Sequence, residues 1–74
     1  MSLKQDIKMK PGKTILIIPS IALSEMRLDD LVGRSATIVE VCMKNDIIRG
    51  CWVDIHSAYL GETEWYIPYN SIGA

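Results

Sequence analysis

The twelve residues Glu62-Thr-Glu-Trp-Tyr-Ile-Pro-Tyr-Asn-Ser-Ile-Gly73 constrain the fold more than any other stretch of the chain. A strand that ends at Ile67 meets a 3-10 turn over Pro68-Tyr-Asn70, started by a proline whose missing N–H costs nothing there. The stub Ser71-Ile72 then closes a sheet, provided that paired strands stand ready upstream. Three runs meet that need. Lys13-Thr-Ile-Leu-Ile-Ile18 follows the turn signal Pro11-Gly12 and stops at Pro19, which cannot donate to a ladder in mid-sheet. Ala36-Thr-Ile-Val-Glu-Val-Cys-Met43 is rich in β-branched residues, and Gly50-Cys-Trp-Val-Asp-Ile55 alternates strictly. Asn45-Asp46 between them supplies turn chemistry, so the two form a hairpin. The pattern predicts an all-β chain folded as a small five-stranded barrel.

Two segments are less regular. The apolar run 15–18 predicts burial of strand one on both faces. After it, Leu23, Met26, Leu28 and Leu31 recur at loosely helical spacing, with Ser24 as a prospective N-cap and Gly33 as a stop. This long loop over 20–32 has room for one helical turn, and an irregular excursion across the open edge of the barrel fits it equally. Ser57 to Thr63 reads as a loop around Gly61, with strand four over Glu64-Trp-Tyr-Ile67.

Chain length limits what such a barrel can enclose. Seventy-four residues make one domain, and a chain of this size buries only about 60% of its unfolded surface, which disfavours a large internal active site. Residues 1–12 read as a basic leader and 13–74 as the barrel. Residues 1–13 hold Lys4, Lys8, Lys10 and Lys13 against Asp6, a local +3, while the remainder carries four arginines and lysines against eight acids, a local −4. The longest apolar run is far short of the roughly 20 residues of a membrane span. With no apolar stretch of the signal-peptide kind behind its lysines, the chain is expected to be soluble and cytoplasmic.

No residue set points to catalysis, a cofactor or a metal. Cys42 and Cys51 flank the hairpin turn without a second cysteine pair or an acid and histidine cluster, and without a secretion signal they are expected to be free thiols. His56, the single histidine, falls on an outward strand end and reads as a solvated surface group. Glu62 and Glu64 read as charges that keep a sheet edge soluble.

The aromatic residues carry the functional signal. In the second hairpin strand Cys51, Val53 and Ile55 share one face, which must point inward, so Trp52 is displayed outward. Trp65 and Ile67 share the inner face of strand four and Tyr66 the other. Trp52, Tyr66 and Tyr69 are therefore expected to form a surface patch, the alternative being that Trp52 and Tyr66 cover the 20–32 loop.

The order of strand, long loop, hairpin, loop, strand, 3-10 turn and short strand resembles an SH3-like barrel over Lys13 to Ile72. Ile67-Pro68-Tyr69-Asn70 resembles the Pro-x-Asn segment of peptide-binding SH3 domains, with Ser71 where those domains carry a ligand-contacting tyrosine. Gly33-Arg-Ser-Ala-Thr-Ile-Val-Glu-Val41 is similar to the KOW motif of ribosomal and transcription-associated barrels, with Ala36 in place of the second glycine. That likeness gives structural roles to Gly33, Ile38 and Val41, and it implies binding of RNA or protein.

Two functions follow as expectations. The first is a non-catalytic protein-interaction module that docks through Trp52, Tyr66 and Tyr69, with Glu25, Asp29 and Asp30 tuning partner choice. The second is a KOW-type RNA-binding module using Lys8, Lys10, Lys13, Arg34 and Arg49, with an aromatic ring stacked on a base. The acidic body favours a protein partner. Self-association through an open edge of strand one is a further expectation.

Overall fold

A computed structural model of the protein describes residues 9–73. Five antiparallel strands, β1 (Thr14–Ile17), β2 (Ser35–Lys44), β3 (Ile47–Tyr59), β4 (Glu62–Pro68) and β5 (Ile72–Gly73), form one curled sheet in the order β4-β3-β2-β1-β5. The ends β4 and β5 do not pair, so the sheet is a half-barrel, compatible with an SH3-like barrel. A one-turn helix α1 (Ile21–Glu25) and a 3-10 turn at Asp29–Leu31 lie between β1 and β2, and a second 3-10 turn, Tyr69–Ser71, links β4 to β5.

The inner face of the sheet makes the core. Ile15 and Ile17 of β1, Ala36 and Ile38 of β2, Cys51, Val53 and Ile55 of β3 and Ile67 of β4 are buried together with Leu23, Leu28 and Leu31 from the segment after β1. Alternation on β3 is thus as the sequence predicts, and Trp52 faces outward at 41% exposure. Strand β1 differs from its expectation. Leu16 is 44% exposed, because the segment after β1 turns toward β4 and the last 3-10 turn and leaves the outer face of β1 uncovered. Nor is β1 an edge strand: it pairs with β2 on one side and, over two register pairs, with β5 on the other.

The hairpins are longer than the sequence suggests. Asn45 and Asp46 both adopt positive φ, as do Leu60 and Gly61. Two such residues in succession match the right-handed strand twist and make the tightest hairpin turns. The predicted loop at 57–63 therefore shrinks to Leu60-Gly61, and Ser57, Ala58 and Tyr59 join β3. The cost is a break in the β3–β4 register between Asp54 and Tyr59, where His56 takes φ 71.

The segment after β1 is ordered, and its cap is Ser20 rather than Ser24. Ser20, extended at φ −156, accepts a hydrogen bond on Oγ from the Leu23 N–H at 3.1 Å. Ser24 instead donates to Asp29 Oδ2 at 3.2 Å. The helix ends at Glu25, well before Gly33, whose φ of 92 turns the chain into β2. Ser20 Oγ also lies 2.6 Å from Ser71 Oγ, and Ser71 is fully buried. This hydroxyl pair ties α1 to the second 3-10 turn. Ser71 therefore faces inward, away from any surface that a tyrosine at that position would serve. Ser71→Ala should cost about 1–2 kcal/mol in chemical denaturation, since it strips a partner from the cap; a change below a few tenths would show that the two hydroxyls are not coupled.

Candidate functional site

The outer face of the sheet is built by register. Residues directly opposite one another on paired strands project from the same face. Trp52 of β3 stands opposite Tyr66 of β4 on one side and Glu40 of β2 on the other. The two rings meet edge to face, with centroids 5.9 Å apart and planes at 68°, an arrangement that matches the positive rim of one ring to the negative face of the other. The pair is held in place from below. Tyr66 lies across Gly50, where a Cβ would sit 2.6 Å from the phenol oxygen and 2.5 Å from the Ile67 carbonyl oxygen. Burial pushes the Tyr66 phenol above its ordinary pKa, nearby Cys42 adds to the rise, and Arg49 opposes it.

Tyr66 also forms one wall of a groove of about 340 Å³. Ile47, Ile48 and Arg49 of β3, Pro68, Tyr69 and Asn70 of the β4 end, and Ala22 of α1 complete its lining. Strand β4 stops pairing at Pro68, opposite Gly50, so the preceding residues of β3 border this groove instead of a neighbouring strand. The expected trio Trp52, Tyr66 and Tyr69 is thus contiguous: the first two by ring contact, the last two by the groove they share. Tyr66 also adjoins the 20–32 segment, since Ala22 of α1 lines the same groove.

The acidic residues of that segment belong elsewhere. Asp30 accepts a hydrogen bond from the Tyr59 hydroxyl at 3.1 Å. Arg34 stands over the Tyr59 ring at 5.7 Å and donates to the Ser57 carbonyl at 3.1 Å. Tyr59 in turn packs on Trp65 at 5.6 Å, and the Trp65 indole N–H donates to the Glu62 carbonyl at 3.1 Å. Burial, with the Asp30 hydrogen bond and carboxylate, raises the Tyr59 pKa against the opposing pull of Arg34. The aromatics therefore form two clusters. Trp52 with Tyr66 presents an outer surface, whereas Tyr59 with Trp65 clamps the 3-10 turn to the last hairpin. Asp29 is engaged by Ser24, and Glu25 is exposed at the end of α1.

Of the cations proposed for RNA, Arg34 and Arg49 lie apart. Arg34 reaches Ser57 while Arg49 borders the groove eight residues earlier on the same strand, a separation on the order of 20 Å along a bulged strand. Lys10 is exposed and Lys13 half-buried near the start of β1, and Lys8 lies outside the described residues. Within residues 33–41, Gly33 has positive φ, Ile38 is core and Val41 is half-buried against it.

One arrangement was not legible in the sequence, which shows no nucleophile, base and orienter together. Thr37 Oγ1 lies 3.0 Å from His56 Nε2, and His56 Nδ1 lies 3.9 Å from Asp54 Oδ2. The order hydroxyl, imidazole, carboxylate is that of a nucleophilic triad. Its outer leg exceeds hydrogen-bond length, and all three groups lie on the open outer face rather than in a cleft. Its visible work is local: Asp54 Oδ1 accepts the His56 backbone N–H at 2.8 Å and pins the bulge.

The cysteines are free thiols. Cys51 stands opposite Val41 on the inner face, and Cys42 opposite Gly50 on the outer one. Burial first, and then Cys42, raises Cys51 to about 11 from its ordinary value near 9. A maleimide should therefore modify half-buried Cys42 well before Cys51 in the native protein; equal rates would contradict the burial of Cys51. Above pH 9 an unfolded chain releases the Cys51 proton that the folded chain retains, so this thiol lowers stability as pH climbs from about 9 toward 11. Cys51→Ala should flatten that part of the stability–pH curve.

Among the described residues no helix is long and apolar enough to cross a membrane, and no group of three or more His, Cys, Asp or Glu side chains is placed to hold a metal. No family model matches the chain, and comparisons with curated proteins and with solved structures returned no match.

Proposed function

We propose that the protein is a non-catalytic binding module that docks a protein partner on the outer face of its half-barrel, through Trp52, Tyr66 and the adjoining Tyr69 groove. The observation that carries this reading is Trp52 itself. A large indole held outward on β3, a strand paired on both sides, with its ring against Tyr66, offers a partner much apolar area at little entropic loss. The half-barrel and the Pro68-Tyr69-Asn70 turn support a finer kinship with SH3-like modules. The acidic surroundings of Trp52 and the separation of Arg34 from Arg49 favour protein over RNA.

Affinity capture on the immobilised protein, run with and without nuclease, tests the class of partner. The reading expects a discrete protein that survives nuclease. Recovery of RNA alone, lost with nuclease and with added salt, would transfer the function to the KOW-type alternative.

A further inference from the structure

The outer face carries a charge pattern that the aromatic pair alone does not require. Glu40 stands opposite Trp52 because β2 has a register shift between Ile38 and Glu40, which passes over Val39. In the next row Asp54 stands opposite Glu64, with Thr37 on the far side of Asp54. Trp52 is thus bordered by Glu40 across one strand, by Asp54 two residues along its own strand, and by Glu64 on the diagonal. Like charges directly opposite on a sheet are destabilising. Asp54 has His56 nearby at 3.9 Å, while among the described residues neither Glu40 nor Glu64 forms an ion pair. Arg49, a cation whose charge acts on Tyr66, borders the groove beside that ring.

We infer that this face binds an extended segment of a partner protein carrying arginine or lysine at alternate positions. The inference rests on the interaction reading above and specifies its partner. Strand spacing fixes the geometry. From Glu40 on β2 to Glu64 on β4 the face spans on the order of 12 Å, two strands across and one row along, with Trp52 between. An extended segment covers about 13 Å in four residues and presents every second side chain to the same surface. Cations at positions i and i+4 then meet Glu40 and Glu64, and the one at i+2 stacks on the Trp52 ring. A guanidinium suits all three places, since it pairs with carboxylates through a planar fork and stacks on indole. An acidic or polyanionic ligand would meet three carboxylates.

The test uses the whole protein, labelled with 15N, and two synthetic ten-residue peptides. One alternates arginine with threonine; the other has glutamate in place of arginine. The arginine peptide should shift the Trp52 indole N–H signal and leave that of Trp65, which is bonded to the Glu62 carbonyl. Its affinity should fall at least tenfold in the double variant Glu40→Gln, Glu64→Gln, and should weaken as salt is raised. These exposed substitutions leave the core untouched. Equal binding of the glutamate peptide, unchanged affinity in the double variant, or no response to either peptide would overturn the inference. In each of those cases the broader reading stands if capture of a native protein still depends on Trp52, and falls separately if it does not.

Discussion

Replacing Gly50 with alanine is expected to lower stability by about 2–3 kcal/mol and Gly50→Val by more, at a position where neither charge nor hydrogen bonding changes. The reason is steric. A Cβ on Gly50 would lie 2.5 Å from the Ile67 carbonyl oxygen, 2.6 Å from the Tyr66 hydroxyl and 2.7 Å from its Cζ. The Tyr66 ring can swing aside, but the Ile67 carbonyl belongs to a paired strand, opposite Cys51, and moves only if β4 moves. A chain of this length has roughly 4–11 kcal/mol in total, and each kcal/mol shifts the midpoint of a small domain by about 4–8 °C. A fall of roughly 10–20 °C for the alanine variant is therefore expected in thermal denaturation, with loss of the near-ultraviolet signal of the Trp52 and Tyr66 pair. A variant of unchanged midpoint would show that the Ile67 carbonyl does not press on Gly50 as described.

The second large effect concerns α1. A helix of five residues has no stability of its own, because nucleation is costly and few bonds follow it. What holds it is the Ser20 cap, the Ser20 contact with Ser71, and Leu23, its single buried residue. Leu23→Ala should cost about 2–5 kcal/mol, from lost transfer and the cavity left behind. Ile21, 80% exposed on the same turn, supplies the control: Ile21→Ala should stay within about 0.5 kcal/mol. Hydrogen exchange adds a local readout, since the Met26 N–H bonded to Ala22 should lose protection in the Leu23 variant before the sheet does. Equal costs at the two positions would mean that α1 is not docked as described.

These two sites mark how far the sequence could be read. The hairpin β2–β3 was legible because Cys51, Val53 and Ile55 alternate with outward residues and Asn45-Asp46 tolerates positive φ. The turn after Pro68 was legible from a single proline. The extension of β3 to Tyr59 was not, since His56 at φ 71 breaks the period-two pattern and Leu60 is a poor advertisement for a left-handed turn. Likewise Ser20 and Ser24 are equivalent as letters. Only the extended backbone at Ser20 and the buried Ser71 beside its hydroxyl distinguish the cap.

For the site, Trp52 and Tyr66 followed from alternation alone. The acidic border did not. Simple pairing from Ile38 with Val53 would set Val39 opposite Trp52, and only the bulge moves Glu40 into that place. By charge alone Asp30 and Arg34 point to different partners, yet both contact Tyr59. Long-range contacts of this kind join residues about 25 to 30 positions apart, beyond any periodicity argument.

The most direct test of the docking face is capture of the native partner by Trp52→Ala beside the unaltered protein, at a temperature where circular dichroism shows both folded. The substitution should cost only about 1–2 kcal/mol, because the ring is partly exposed and loses chiefly its contact with Tyr66. The account predicts that the folded variant no longer retains the partner. Undiminished capture by folded Trp52→Ala would contradict it and place the binding surface elsewhere on the half-barrel.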